Sequence, residues 1–237
     1  MLTVQHWFNC GTIRSISIGL AWTGMFFISA CSMWVNVYSA VNPPVTSVML
    51  IRHVEGVRVR NAWVPESKVA SNWIQSVVAR EDSTFFEHDG FNWYRIRIAR
   101  LHVQAGERAP ASSTVSQQVA KNCFLWPGRS ILRKGLEAYF TTLMEMSWSK
   151  DRIMYVYLNI AEMANGVFGI EAASDAYFEK PSNRLTLGET NLVTMGMPFA
   201  RQIDPDQPAR EVRKELRKIA REKQHAKSPA PLSGADG

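Results

Sequence analysis

Between Arg14 and Arg52 the chain carries no Asp, Glu, Lys or Arg, and this uncharged stretch constrains the fold more than any other feature. Residues 16–38 within it are dense in Ile, Leu, Phe, Met, Trp and Val. A helix of about 20 such residues crosses a bilayer, so a membrane-spanning helix is expected here. Trp22, Trp34 and Tyr38 suit interfacial depths. A cleaved leader is the rival: Ile28-Ser29-Ala30-Cys31 has the form of a lipobox, whose processing would leave Cys31 as a lipidated N-terminus. Met33, Trp34, Val35 and Val37 continue the apolar run past that cysteine, as an uncleaved span requires. Either route leaves a body anchored at a membrane. Charge codes its orientation weakly, because Arg14 precedes the span while Arg52, Arg58 and Arg60 follow it.

The 237 residues allow one domain of ordinary size with appendages. A net charge of +6 calls for an anionic partner: phosphate-bearing lipid, a membrane surface or nucleic acid. No zinc spacing, P-loop or dinucleotide fingerprint is present. Cys10 and Cys31 lie in the N-terminal apolar region and Cys123 alone lies in the body, which excludes a disulfide within it. Asn42-Pro43-Pro44 ends any helix leaving the membrane. Residues 39–65 read as a juxtamembrane linker, in which Val57-Arg58-Val59-Arg60 alternates as a short strand does. Residues 66–200 carry mainly helical patterning. Residues 201–237 read as a basic helix followed by a disordered tail. Val212, Leu216 and Ile219 give that helix only a thin apolar stripe, fitting either an anionic lipid surface or plain solvation.

The chemistry-bearing residues fall in separate blocks. Trp73 with Val77, and Ile74 with Val78, recur at i,i+4, which predicts an amphipathic helix from Asn72. Glu81 and Asp82 stand at its end, where the chain breaks toward Gly90. Adjacent acids there are either a solvated helix end or a catalytic pair. Thr114 followed by Gln117 fits a capping box. Val115, Val119 and Cys123 then form the buried stripe, and Thr114, Gln118, Lys121 and Asn122 share a polar strip. That strip suits a phosphate or sugar, or is a solvated face. Arg133 and Glu137 are i,i+4 neighbours, with Lys134 beside them; Leu132, Leu136, Phe140 and Leu143 are expected to bury the other side. This is a surface ion pair, or a second carboxylate bringing two cations to a site. Residues 150–159 and 166–180 read as structural.

Taken in order, these blocks resemble the peptidoglycan glycosyltransferase family. The motifs are Glu-Asp-x-x-Phe-x-x-His-x-Gly (81–90), Ser-Thr-x-x-Gln-Gln-x-x-Lys-Asn (113–122), Arg-Lys-x-x-Glu (133–137), Tyr-Leu-Asn (157–159) and Gly-x-x-Gly…Ala-Ala…Tyr-Phe-x-Lys (166–180). The resemblance covers about residues 16–198, and the single module matches the monofunctional biosynthetic branch. It implies an all-α, mainly helical, lysozyme-like domain with one N-terminal transmembrane helix, a short cytoplasmic N-terminus at 1–15 and a catalytic body on the periplasmic side of a bacterial inner membrane. It implies polymerisation of lipid II into glycan strands, with inversion at the donor anomeric carbon and release of undecaprenyl pyrophosphate. Carried onto this chain, Glu81 and Glu137 are the catalytic carboxylates. Asp82, Phe85, His88, Thr114, Gln118, Lys121, Asn122, Arg133 and Lys134 are the substrate-binding residues. No cofactor is firmly implied; a divalent cation, Mg or Mn, at the pyrophosphate is the one candidate, and no metal ligands are assigned. The expected partners are lipid II, the growing strand, the membrane and division or elongation proteins, and not nucleic acid.

The chain departs from the family pattern in two places. Ala111-Ser112 stands where the second motif usually opens with glycine, and Asn191 and Thr194 occupy helix positions usually held by small apolar residues, where looser core packing is expected. Two other readings are a lytic transglycosylase, which has less use for clustered cations, and a non-catalytic anchored scaffold that binds lipid II or division proteins.

Overall fold

The computed structural model describes residues 10–110, 112–128, 130–204 and, beyond these, residues 206, 207, 210, 213, 214, 216–218 and 221. Helix α1 (Cys10–Ala40) contains the apolar segment Ser15–Ala40, long and apolar enough to cross a membrane. At 1.5 Å per residue its 26 residues exceed the roughly 30 Å hydrocarbon core. The C-terminal turns of α1 pack against the body. Cys31 and Val35 are buried there, Trp34 packs edge-on against Phe124 at 5.3 Å, and the Trp148 indole N–H donates to the Val35 carbonyl at 2.9 Å. Arg152 donates to the Tyr38 and Val41 carbonyls at 2.7 and 2.9 Å, which satisfies two of the orphan acceptors at the helix end.

The stretch read as a juxtamembrane linker holds a helix, α2 (Ser47–Val54), capped by the Thr46 hydroxyl. Arg52 in it is buried and paired with Glu162 and Glu55, which ties α2 to the segment around Glu162. After β1 (Arg60–Asn61) comes α3 (Ser71–Arg80), with Trp73 and Val77 fully buried as their spacing requires. Helices α4 (Trp93–Gln104) and α5 (Val115–Phe124) follow. Thr114 and Gln117 make the full capping box, and Val115, Val119 and Cys123 turn inward.

Helix α6 (Ile131–Ser147) corrects one expectation. Its inward face is Arg133, Glu137, Phe140 and Met144, whereas Leu132 is 70% exposed. The groove of α5 receives the row through residue 133, so the leucine one position earlier is turned to the outside. Helix α7 (Lys150–Ile160) is buried continuously from Ile153 to Ile160 and forms the centre of the core. A three-stranded sheet of β1, β2 (Glu162–Ala164) and β3 (Val167–Phe168), ordered β1-β3-β2, closes against it. Gly169, at φ 83°, permits this closure, since a Cβ there would lie 2.6 Å from the Asn159 carbonyl oxygen.

Helices α8 (Ile170–Phe178) and α9 (Leu187–Gly196) complete the domain. On α9, Thr190 pairs with Ser76 of α3 at 2.7 Å, and the buried Thr194 hydroxyl donates to the Asn191 carbonyl at 3.0 Å. The Thr194 hydroxyl is therefore satisfied within the helix. Ala111 lies outside the described residues. Past α9 the basic segment is no free helix. Leu216 is fully buried, so close over Gly196 that a Cβ there would sit 2.3 Å from it, and Arg213 donates to the Tyr177 carbonyl at 2.9 Å. Val212, Ile219 and the expected disordered tail lie outside the described residues. Leu216→Ala is expected to cost about 2 kcal/mol or more in chemical denaturation, where a solvated helix would lose almost nothing.

Candidate active site

A cleft of about 850 Å³ opens between α3, α5, α6, β2 and the turn at Met197–Gln202. Of the expected site residues, Glu81, Gln118, Lys121, Asn122, Arg133, Lys134 and Glu137 line it. Glu81 is the residue at which α3 ends. Its backbone carbonyl accepts from Arg95 Nη1 at 2.7 Å, and its carboxylate Oε2 accepts from Gln118 Nε2 at 3.1 Å. The terminus of one helix and the first turns of another thus hold one carboxylate at the mouth of the cleft.

Along another wall, Glu137 is 3% exposed and Arg133 8%. Arg133 Nη1 donates to Glu137 Oε2 at 2.6 Å, and Lys134 Nζ donates to Oε1. This is a buried pair and not the surface pair its spacing allows for. Arg133 Nε is buried with no hydrogen-bond partner. A guanidinium N–H without an acceptor is costly. Lys121 adds a third cation. Burial holds its pKa below the ordinary lysine value of 10.5; Glu137 opposes this, while Arg133, Arg201 and Lys134 add to it. These groups therefore share one field.

Four residues expected to touch substrate lie behind the cleft and do not line it: Asp82, Phe85, His88 and Thr114. Asp82 is fully buried; its Oδ2 accepts from Val115 N at 3.1 Å and pairs with His88 Nε2 at 3.0 Å. His88 Nδ1 accepts from Gly90 N at 3.1 Å, which puts the imidazole proton on Nε2, aimed at Asp82. The Thr114 hydroxyl donates to the Gly90 carbonyl at 2.7 Å, and Phe85 is buried under the Lys150 ammonium at 4.7 Å. They pin the 81–90 turn to the start of α5. The physical reason is Gly90: at φ 88° the chain folds back so tightly that a Cβ would meet Thr141 at 2.8 Å.

The cleft also contains residues that sequence reasoning missed. Arg201 and Gln202 come from the 197–202 turn, and Glu162 from β2. Glu162 accepts from Arg52 Nε at 3.0 Å and from Arg201 Nε at 3.4 Å. Glu162 directly follows the Tyr-Leu-Asn block by three residues, a proximity that could have flagged it; Arg201 belongs to no repeat or period. With four cations against three carboxylates, the cleft carries a small positive excess and favours an anion.

A family model described as Transglycosylase matches residues 48–224, which includes the basic C-terminal segment. Proteins called biosynthetic peptidoglycan transglycosylase are similar along most of their length. That of Bdellovibrio bacteriovorus is 40% identical over 201 residues, covering 82% of this chain and 80% of its own. That of Rhodospirillum centenum is 42% identical over 185 residues, covering 78% and 80%. That of Xanthomonas axonopodis pv. citri is 37% identical over 215 residues, covering 88% and 87%.

Removing Glu137 alone would leave Arg133 buried without its counter-charge. Glu137→Ala is expected to destabilise the fold by about 3 kcal/mol, and the apolar pair Arg133→Met/Glu137→Leu to recover most of it, measured by denaturant unfolding.

Proposed function

The chain belongs to the transglycosylase family, and we propose that Glu81 is the general base with which it polymerises peptidoglycan. The enzyme is a peptidoglycan glycosyltransferase that builds the glycan strands of the cell wall, and its domain is lysozyme-like. Its substrates are lipid II and the growing strand. Glu81 takes the proton of the acceptor hydroxyl as that oxygen attacks the donor anomeric carbon. The bond from that carbon to the pyrophosphate breaks, the pyrophosphate departs with the electron pair, and the centre inverts. No proton is needed at the leaving group, provided its charge is met. Lys121, Arg133 and Lys134 meet it, and Glu137 holds the last two in place. Gln118 steadies the base, and Asn122 contributes a polar side chain to the same wall.

The observation that carries this reading is the row of cations, Lys121, Arg133, Lys134 and Arg201, lining the cleft that Glu81 enters. A strand-cleaving enzyme, with no pyrophosphate to hold, would have no task for these cations. Both Glu137 oxygens are engaged by cations, so a divalent ion at the pyrophosphate would depend mainly on substrate oxygens and Glu81. The steps above are accordingly assigned to side chains alone.

One apolar N-terminal helix is the candidate membrane anchor. We place it in the bacterial inner membrane with the body in the periplasm. Helix α1 packs on α6, the helix that carries Arg133, Lys134 and Glu137, so an anchored α1 would hold the cation wall beside the lipid from which the substrate arrives.

Glu81→Gln in the full-length, detergent-solubilised protein is expected to lower lipid II polymerisation at least about 100-fold; near-parental product would remove Glu81 from the role. The lowered pKa of Lys121 has a consequence of definite sign: the ammonium is lost at a pH below that of an ordinary lysine, and its hold on pyrophosphate goes with it. The basic limb of kcat/KM should therefore fall below pH 10.5 and move to higher pH in Lys121→Arg, as read from rate–pH profiles.

A further inference from the structure

Tyr157 is fully buried in α7, and its hydroxyl reaches the active site through one side chain. Tyr157 Oη donates to Gln118 Oε1 at 3.4 Å, and Gln118 Nε2 donates to Glu81 Oε2 at 3.1 Å. We propose that Tyr157 is a positioning residue: its O–H fixes the Gln118 amide with the NH2 toward Glu81, and so holds the general base in its working orientation. The inference rests on Glu81 being that base.

The two faces of a primary amide have nearly the same shape, so packing alone does not choose between them. Hydrogen bonding does. An ionised Glu81 carboxylate can only accept, so it requires the NH2 of Gln118. Turning the amide over would set its carbonyl oxygen against the carboxylate oxygen and leave the Tyr157 O–H facing the NH2 with nothing to receive its proton. In a buried site such an unmade bond is costly. Burial, together with the neighbouring carboxylates of Glu81 and Asp82, pushes the Tyr157 pKa well above its ordinary value of 10.0. The hydroxyl therefore remains a donor throughout the pH range in which the enzyme works. Tyr157 has this task because α7 crosses directly beneath α5, so a residue of the Tyr-Leu-Asn block meets one of the Gln-Gln block.

The test is a double-mutant cycle on the full-length protein in detergent, with lipid II as substrate. Tyr157→Phe keeps the ring and removes only the hydroxyl. It is expected to lower kcat about 3- to 10-fold with KM unchanged, the scale of one hydrogen bond. Gln118→Ala should lower kcat further, and adding Tyr157→Phe to it should change nothing, because the link is already broken. A full Tyr157→Phe effect persisting in the Gln118→Ala background would overturn the proposal, as would an effect on KM alone or no effect. Glu81→Gln run beside them separates the two claims. If it is inactive while the cycle is additive, the Tyr157 inference alone fails; if it remains active, the base assignment beneath it fails.

Discussion

Several positive side chains cannot be held on one wall of a cleft without a counter-charge, and Glu137 supplies it. Its carboxylate takes Arg133 on one oxygen and Lys134 on the other, and its field offsets part of the desolvation that burial imposes on Lys121. Left alone, such a cluster would push its helices apart or lose protons. With Glu137 in place these cations are held together on one wall of the cleft. The donors thus stand in place before an anion arrives. This is the preorganisation that electrostatic catalysis needs, because the donors need not rearrange as charge develops on the leaving group.

Around that pair the fold divides its labour between two shells. Asp82, His88, Thr114 and Phe85 touch no open space of the cleft, yet they join the turn after α3 to the first turn of α5. That junction sets where Glu81 stands relative to Gln118. On the opposite side Glu162 joins Arg52 of α2 to Arg201 at the cleft's edge. Helix α2, strand β2 and the turn at 197–202 are therefore linked.

What could be read from the residues alone was whatever depends on near neighbours. The start of α5 was legible because Thr114 and Gln117 satisfy each other's backbone groups within one turn. The long apolar helix α1, a candidate membrane anchor, was legible because its Ser15–Ala40 run carries no charged residue. The Arg133–Glu137 spacing was visible, but its burial was not, for burial depends on which row of α6 the groove of α5 accepts. The same limit explains Leu132, assigned to the core from its period and found outside. It also explains Leu216, whose fit over Gly196 joins segments 20 residues apart. Asp82 and His88 look like cleft residues in sequence because they flank Glu81; the fold-back at Gly90 turns them inward. Glu162 and Arg201 meet only in three dimensions, so no spacing announces them as a pair.

The central claim is that base and anion cradle are separate devices in one cleft. Its most direct test is the affinity of fluorescent lipid II for the full-length protein in detergent, measured for the parent, Glu81→Gln and Arg133→Ala. The account predicts that Glu81→Gln binds as tightly as the parent, while Arg133→Ala binds about 10-fold or more weakly, the scale of a lost charge-assisted bond. If Glu81→Gln lost its affinity and Arg133→Ala kept it, the assignment of the two roles would be contradicted.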